Sequence, residues 1–309
     1  MKSPKKPYPP SVWAALGTLY VVWGSTYLAI RFAIETIPPF LMAGTRFVTA
    51  GLILYTWARF RGAPRPSFTH WKSAAFIGFF LLLLSNGGVC WAEQKVPSGL
   101  ASLLVATVPL WMALLQWFWR GEEKPGWRTW LGIGMGLMGL IVLVLSRDGL
   151  GSGPSDPWSM LLLMGTSLCW SIGSLYARSA PLPSSALLGT AMEMLVGGTL
   201  QWGVGLLLGE GSQLHFSEIT AHSLGALVYL TLVGSLLGFT SFIWLLQKSN
   251  PTLASTYAFV NPVIAVFLGC LWGGESLSPP LFLAGALIVA AVALIILSST
   301  RGGARRRTS

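Results

Sequence analysis

Two ionisable side chains, Arg46 and Glu193, stand deep inside long apolar runs. Arg46 lies eight residues past Pro38 and Glu193 nine past Ser184. That places them about 12 and about 13 Å along their helices at ~1.5 Å per residue. A charge at such depth in a bilayer costs on the order of 3 kcal/mol on insertion scales, so it must face protein or water. A guanidinium there attracts a carboxylate. A carboxylate there attracts an amine or carries a proton. Displaced by 147 residues, Arg46 falls on Glu193, so the two occupy matching positions in the two halves of the chain. Both are expected to line a central cavity as substrate-binding or coupling groups. The structural alternative is a salt bridge or a helix-packing hydrogen bond.

Further polar and aromatic groups share these runs. Trp23, Trp170 and Tyr257, with Tyr27 and Tyr176, can form an aromatic wall. For any one of them, packing or anchoring at the lipid interface is the competing role. Trp23 and Trp170 coincide under the same displacement and stand beside small residues, Gly24-Ser25 and Ser171. Asn86 and Asn261 place amides in apolar surroundings. Pro109 and Pro262 each free a carbonyl one turn back. Such breaks create a hinge or expose backbone to a cavity, or else simply kink the helix. Glu122 and Glu275 each follow a glycine at the end of a run. A helix C-terminus disfavours negative charge, so these two are read as capping or gating residues paired with a nearby base.

Other chemistry finds little support. Cys90, Cys169 and Cys270 lie in apolar runs without metal-ligand spacing, and the three histidines fall in connecting segments. No disulfide, metal or cofactor is expected. No P-loop, HExxH motif or nucleophile with a base is visible, which argues against ATP drive and against a membrane-embedded enzyme.

These residues need elements to carry them. Of 309 residues, 53% are hydrophobic and only about 10% charged, and the mean hydropathy is +0.65. Soluble domains carry about 25% charged residues, so an ordinary soluble enzyme and a disordered chain are both excluded. Runs of about 20 apolar residues cross a bilayer. The breaks between them give spans at 12–32, 38–58, 72–92, 97–119, 127–146, 157–177, 184–208, 222–246, 251–272 and 279–299. The first run has basic residues before it but no small-residue cleavage site, so it is read as an uncleaved helix. With the N-terminus in the cytoplasm, nearly all of the 20 Lys and Arg fall on the cytoplasmic side. Only Arg31, Lys95 and Arg147 fall opposite, and Arg46 lies within a span. This is the positive-inside pattern. It predicts an all-α membrane protein of ten transmembrane helices with both termini cytoplasmic.

The two halves repeat. Displaced by 153 residues, Ala101, Ser102, Pro109, Trp119, Gly121, Glu122 and Gly132 meet Ala254, Ser255, Pro262, Trp272, Gly274, Glu275 and Gly285. Displaced by 147, Trp23, Arg31, Ala33 and Gly51 meet Trp170, Arg178, Ala180 and Gly198. The expected organisation is a disordered tail at 1–11, a five-helix unit at 12–146, a connecting loop at 147–156, a second unit at 157–299 and a basic tail at 300–309. Five crossings are an odd number, so the second unit lies inverted with respect to the first. Inverted repeats recur in secondary transporters, with the substrate site near the midplane.

The stretches WGSTYLAIRFAIE, PPFLMAGTRFVTAG, ASLLVATVPLWMALLQWFWRGE and ASTYAFVNPVIAVFLGCLWGGE resemble the drug/metabolite transporter superfamily, in its EamA-type ten-helix branch. The resemblance spans about residues 11–299, and Arg46-Phe47 and the Gly-Glu pairs fit its pattern. It implies a bacterial inner-membrane carrier, often an exporter of amino acids or other small metabolites. It also implies a central cavity lined by helices one to four and six to nine. The function expected is secondary active export of a small metabolite by alternating access, driven by protons or by exchange. The alternatives are an importer of the same family, a membrane-embedded enzyme or a passive channel. The expected partners are a small-molecule substrate and, for the basic tail, anionic lipid rather than nucleic acid. The glycine string from Gly132 to Gly139 allows close helix contact, within a monomer or across a homodimer.

Overall fold

The computed structural model describes residues 8–120, 126–145, 156–248, 257–274, 279, 282–287, 289–291 and 293–294. Every regular element among them is helical. Helix α1 spans Pro10–Ala33 and α2 Pro39–Phe60. The third run is α3 (Phe68–Ile77), a π-helical stretch (Gly78–Gly87) and α4 (Gly88–Ala92). Then come α5 (Ser98–Val105), α6 (Val108–Arg120) and α7 (Trp127–Leu145). The second half holds α8 (Pro157–Ala177), α9 (Ala186–Leu207) and the single turn α10 (Glu210–Gln213). After them follow α11 (Ala221–Tyr229), a second π-helical stretch (Leu230–Leu237), α12 (Gly238–Lys248) and α13 (Tyr257–Trp272). Six described runs are long and apolar enough to cross a bilayer: Pro10–Ala33, Pro39–Phe60, Phe68–Ala92, Ser98–Trp119, Pro157–Ala177 and Ala221–Phe242.

Several boundaries differ from the sequence expectation, for local reasons. The third run starts at Phe68 rather than 72, because Ser67 and His70 close a capping box. The Ser67 hydroxyl accepts from the His70 N–H at 3.3 Å, and His70 Nδ1 accepts from the Ser67 N–H at 3.2 Å. A histidine expected in a connecting segment thus does the work usually given to Glu or Gln. Helix α1 starts at Pro10, inside the expected tail, since proline tolerates a first turn. Residues 1–7, the tail at 300–309 and residues 147–155 of the expected loop lie outside the described residues. Asp156, which ends that loop, is the N-cap of α8.

The longest helix contact among the described residues joins α2 to α9. Glycine makes it possible. A Cβ on Gly198 would lie 2.8 Å from the Val48 nitrogen and 3.0 Å from the Gly44 carbonyl oxygen. One on Gly51 would lie 3.0 Å from the Leu195 nitrogen and 3.1 Å from the Ala191 oxygen. One on Gly44 would collide with the Trp202 ring, which is fixed by its Nε1–H donating to Thr45 Oγ1 at 3.1 Å. The helices run antiparallel here, since higher numbers on one face lower numbers on the other. Moreover, displacing Gly44, Val48 and Gly51 by 147 residues gives Ala191, Leu195 and Gly198, so the contact maps onto itself. Such backbone-to-backbone packing is the close approach that small residues permit in membranes.

Each of these two helices then reaches across to a π-helical stretch of the other half. Helix α9 meets the first stretch, where a Cβ on Gly78 would sit 2.7 Å from the Glu193 carbonyl oxygen. There Gln201 Nε2 donates to the Leu82 carbonyl at 2.7 Å. Helix α2 meets the second stretch, where Arg46 Nε donates to Ser235 Oγ at 2.8 Å. Leu82 and Ser235 are 153 residues apart, one of the two displacements that align the halves. Sustained π-helix is rare and concentrates at functional sites.

The expected fourth span is broken at Ala106-Thr107, directly before Pro109. The Leu104 carbonyl accepts from the Thr107 hydroxyl at 2.7 Å, and serines of α8 lie beside the break. The Ser167 hydroxyl lies 3.4 Å from the Leu104 oxygen and 3.5 Å from that of Val105, and Ser171 Oγ lies 3.2 Å from that of Val108, while each has a nearer acceptor in its own helix, Leu163 at 3.2 Å and Ser167 at 2.9 Å. This is how broken helices survive at membrane depth. The start of α2 is treated similarly. The buried Glu210 carboxylate accepts from the Phe40 N–H at 3.2 Å and the Leu41 N–H at 2.9 Å. It supplies an anionic cap, where the helix dipole favours negative charge.

Gly198→Val forces the α2–α9 seam apart and is expected to cost about 1–3 kcal/mol. A lower melting temperature of the detergent-purified protein reads this. Gly203→Val, where an added Cβ meets nothing within 4 Å, should leave it unchanged. A second expectation concerns Asp156. The Ser159 hydroxyl foremost, then the Trp158 N–H and the Lys95 ammonium, hold its carboxyl below the usual range. Its capping is therefore complete above the unfolded-chain value of about 4 and is lost as pH falls through the lower folded value. Wild type should melt above Asp156→Asn at pH 7, and the difference should begin to shrink below about pH 4 and vanish only once the pH is below the lower folded value.

Candidate functional site

Helices from both halves enclose a cavity of about 100 Å³. Each half contributes for a reason already visible in its backbone. Pro262, inside α13, has no N–H to offer the Ala258 carbonyl, and Ala258 lines the cavity. Val105, beside the break in the fourth span, lines it too. Helix α1 runs alongside α13, because Gly24 leaves room for Ile264.

One wall is aromatic. The Trp23 ring meets Tyr257 edge-on at 5.0 Å, Phe239 at 5.3 Å and Trp170 at 6.2 Å between centroids. These T-shaped contacts place the positive edge of one ring on the negative face of the next. Trp23 Nε1–H donates to the Gly234 carbonyl at 3.2 Å, which fixes its plane. The lining also holds the polar residues Arg46, Ser85, Asn86, Ser102 and Asn261. The Asn86 Oδ1 accepts a weak bond from the Cys90 thiol at 3.6 Å. Asn261 is buried and its Oδ1 has no hydrogen-bond partner among the described residues.

Arg46 is the charged member of the described lining, and it is 2% exposed. Its Nε is bonded to Ser235, and its guanidinium lies 4.7 Å from the Phe47 ring centroid. A desolvated cation–π contact of that kind contributes about 2 kcal/mol. Its Nη1 is buried without a hydrogen-bond partner among the described residues. A buried guanidinium with an open donor is the arrangement that receives an oxyanion.

Of the residues singled out from the sequence, Trp23, Arg46, Asn86, Trp170, Tyr257, Asn261 and Pro262 all meet at this cavity. Glu193 does not. It is half-buried on α9 against the first π-helical stretch, is not among the cavity's lining residues, and forms no ion pair with Arg46. Matching positions led to different surroundings because the cavity lies on the Arg46 side of the seam. Pro109 falls in the first turn of α6. Glu122 and Glu275 lie outside the described residues.

The structure adds groups that sequence reasoning passed over. Ser235 and Gly234 sit in an unbroken apolar run and gave no sign. Glu93, the C-cap of α4, is buried within electrostatic reach of Tyr27, Arg46 and Cys90. A carboxylate at the edge of an apolar run looks solvated in sequence.

The EamA-like transporter family profile matches residues 11–145 and 157–297. The chain belongs to the EamA-like transporter family. This EamA-like transporter is 38% identical over 291 residues to the uncharacterized inner membrane transporter YedA of Escherichia coli strain K12, covering 93% of this chain and 90% of that protein. It is 25% identical to a probable terminal-alkyne amino-acid exporter of Streptantibioticus cattleyicolor, covering 92% and 93% of the two chains. A solved crystal structure shares the fold, with a TM-score of 0.64 at 23% identity over 97% of this chain and 99% of that one. The chain is thus a multi-pass inner-membrane transporter rather than an enzyme.

Asn261→Leu removes an unpaired acceptor from the cavity wall. Melting temperature should hold or rise, because no hydrogen bond is lost. Flux of the transported solute should still fall by about tenfold, equivalent to ~1.4 kcal/mol of lost recognition.

Proposed function

We propose that this transporter exports small carboxylate-bearing metabolites, amino acids or related solutes, by alternating access. The single observation that carries this reading is Arg46, a cavity-lining residue whose Nη1 is buried with no hydrogen-bond partner among the described residues. Asn261, whose Oδ1 has no hydrogen-bond partner among the described residues, and Ala258, four residues before Pro262, also line the cavity and would suit an ammonium or amide on the same solute. The aromatic wall suits an apolar side chain. A cavity of about 100 Å³ favours a small metabolite over drug-sized ligands, whose sites run to ~300–1,000 Å³. The similarity to an amino-acid exporter supports the same class.

The mechanism rests on two inverted five-helix units, 12–146 and 157–299, in a ten-helix chain with both termini cytoplasmic. The self-mapping antiparallel seam of α2 and α9 supports it. Two related units in opposite orientation exchange conformations, and each exchange moves the opening to the other side. The energy comes from a proton gradient or from solute exchange. Glu193, away from the cavity, would couple a proton through the seam and not through substrate contact.

The test is flux in proteoliposomes holding the purified full-length protein. The probe is a pool of radiolabelled amino acids, with and without an imposed pH gradient. Arg46→Gln should lose at least about tenfold of the flux, and Arg46→Lys should recover part of it, since Lys keeps the charge but not the fork. Glu193→Gln should abolish only the gradient-driven part if that residue couples. Normal flux in Arg46→Gln would sink the carboxylate reading.

A further inference from the structure

Four observations converge on the second π-helical stretch. Gly234 has no side chain, and a Cβ there would lie 3.1 Å from Arg46 Nη2 and 3.0 Å from Thr26 Cγ2. Its carbonyl accepts from Trp23 Nε1 at 3.2 Å. The next residue, Ser235, accepts from Arg46 Nε at 2.8 Å. Gly238, one turn on, is bare where the Trp23 ring approaches, and a Cβ there would meet Trp23 Nε1 at 2.5 Å. Both Gly234 and Ser235 are buried, and neither is among the cavity's lining residues. They touch Arg46 and Trp23, two of the side chains that line the cavity.

We infer that Gly234 and Ser235 are positioning residues that jointly aim the Arg46 guanidinium and the Trp23 ring into the cavity, and so set its preference for carboxylates. The inference rests on the carboxylate reading of Arg46 for its consequence, but not for its geometry. A guanidinium has five donors in a rigid fork. Fixing Nε on Ser235 fixes the plane of the fork, and Nη1 is buried with no hydrogen-bond partner among the described residues. The space at Gly234 lets Nη2 lie against backbone. The Gly234 carbonyl simultaneously holds Trp23, so one short strip of backbone orients both the anion end and the aromatic end of a bound solute. The wider π turn matters because an α-helical register would move Gly234 and Ser235 off the faces they now serve.

The ligand-free test is the rate at which phenylglyoxal, an arginine reagent, modifies Arg46 in the detergent-purified full-length protein. Mass spectrometry of the Arg46 peptide reads it. Ser235→Ala should slow the modification by at least about threefold, because the guanidinium is no longer held toward the cavity that admits the reagent. Ser235→Thr, which keeps the hydroxyl, should restore the wild-type rate. Gly234→Ala, which crowds Nη2, should slow it as well, while Trp23 keeps its backbone acceptor. An unchanged or faster rate in Ser235→Ala overturns the assignment, and so does a threonine variant that behaves like alanine. A second arm uses radiolabelled leucine against leucine methyl ester in proteoliposomes. Ser235→Ala should raise the KM for leucine about tenfold and leave maximal flux and any ester flux unmoved. Loss of acid and ester discrimination in wild type and in Arg46→Gln alike would refute the carboxylate reading alone. The labelling result would then decide the positioning role by itself.

Discussion

The α2–α9 seam is the contact on which the remaining architecture depends. In hydrocarbon there is no hydrophobic force to press two helices together, because lipid tails are as apolar as leucine. What holds them is close packing, and close packing needs backbones to meet. Gly44, Gly51 and Gly198 make that meeting possible, and any Cβ at these sites would intrude on main-chain atoms or on Trp202. Once the seam is fixed, the two π-helical stretches are placed on either side of it. Arg46 and Gln201 reach them from the two helices of the seam.

The cavity is also a case of polar backbone kept only where it has a use. Pro109 leaves the Val105 carbonyl without its helical donor, and Pro262 does the same to Ala258. Val105 and Ala258 both line the cavity. Each half thus brings the residue four before its proline to the same place.

Much of this was legible in the sequence, and the reasons divide cleanly. The helical runs were legible because hydrophobic length and breaker residues are local signals. Arg46, Trp23 and Asn261 were legible because charge, amide or paired tryptophan in an apolar run is conspicuous. Glu193 was conspicuous in the same way and still misplaced, since sequence gives depth along a helix but not which side of a seam a side chain takes. Ser235 and Gly234 are ordinary in composition. Their roles arise from a π register and from partners 189 residues or more away, such as Arg46 and Trp23. The His70 cap was missed because the capping pattern is usually sought with an acidic or amide residue.

The cap on α2 has a consequence for how the chain is made. Glu210 lies 170 residues beyond Phe40. At synthesis rates of about 5–20 residues per second, α2 waits roughly 10–30 s for the carboxylate that satisfies its first turn. Its other partner, the glycine face of α9, arrives over the same interval. The amino-terminal half must therefore be held in the bilayer as an unfinished intermediate, with the Phe40 and Leu41 donors met by water or lipid headgroups. Biogenesis is then timed by the arrival of the second half, and a ribosome stalled before residue 210 would leave a half-protein with an open seam, a natural substrate for membrane quality control.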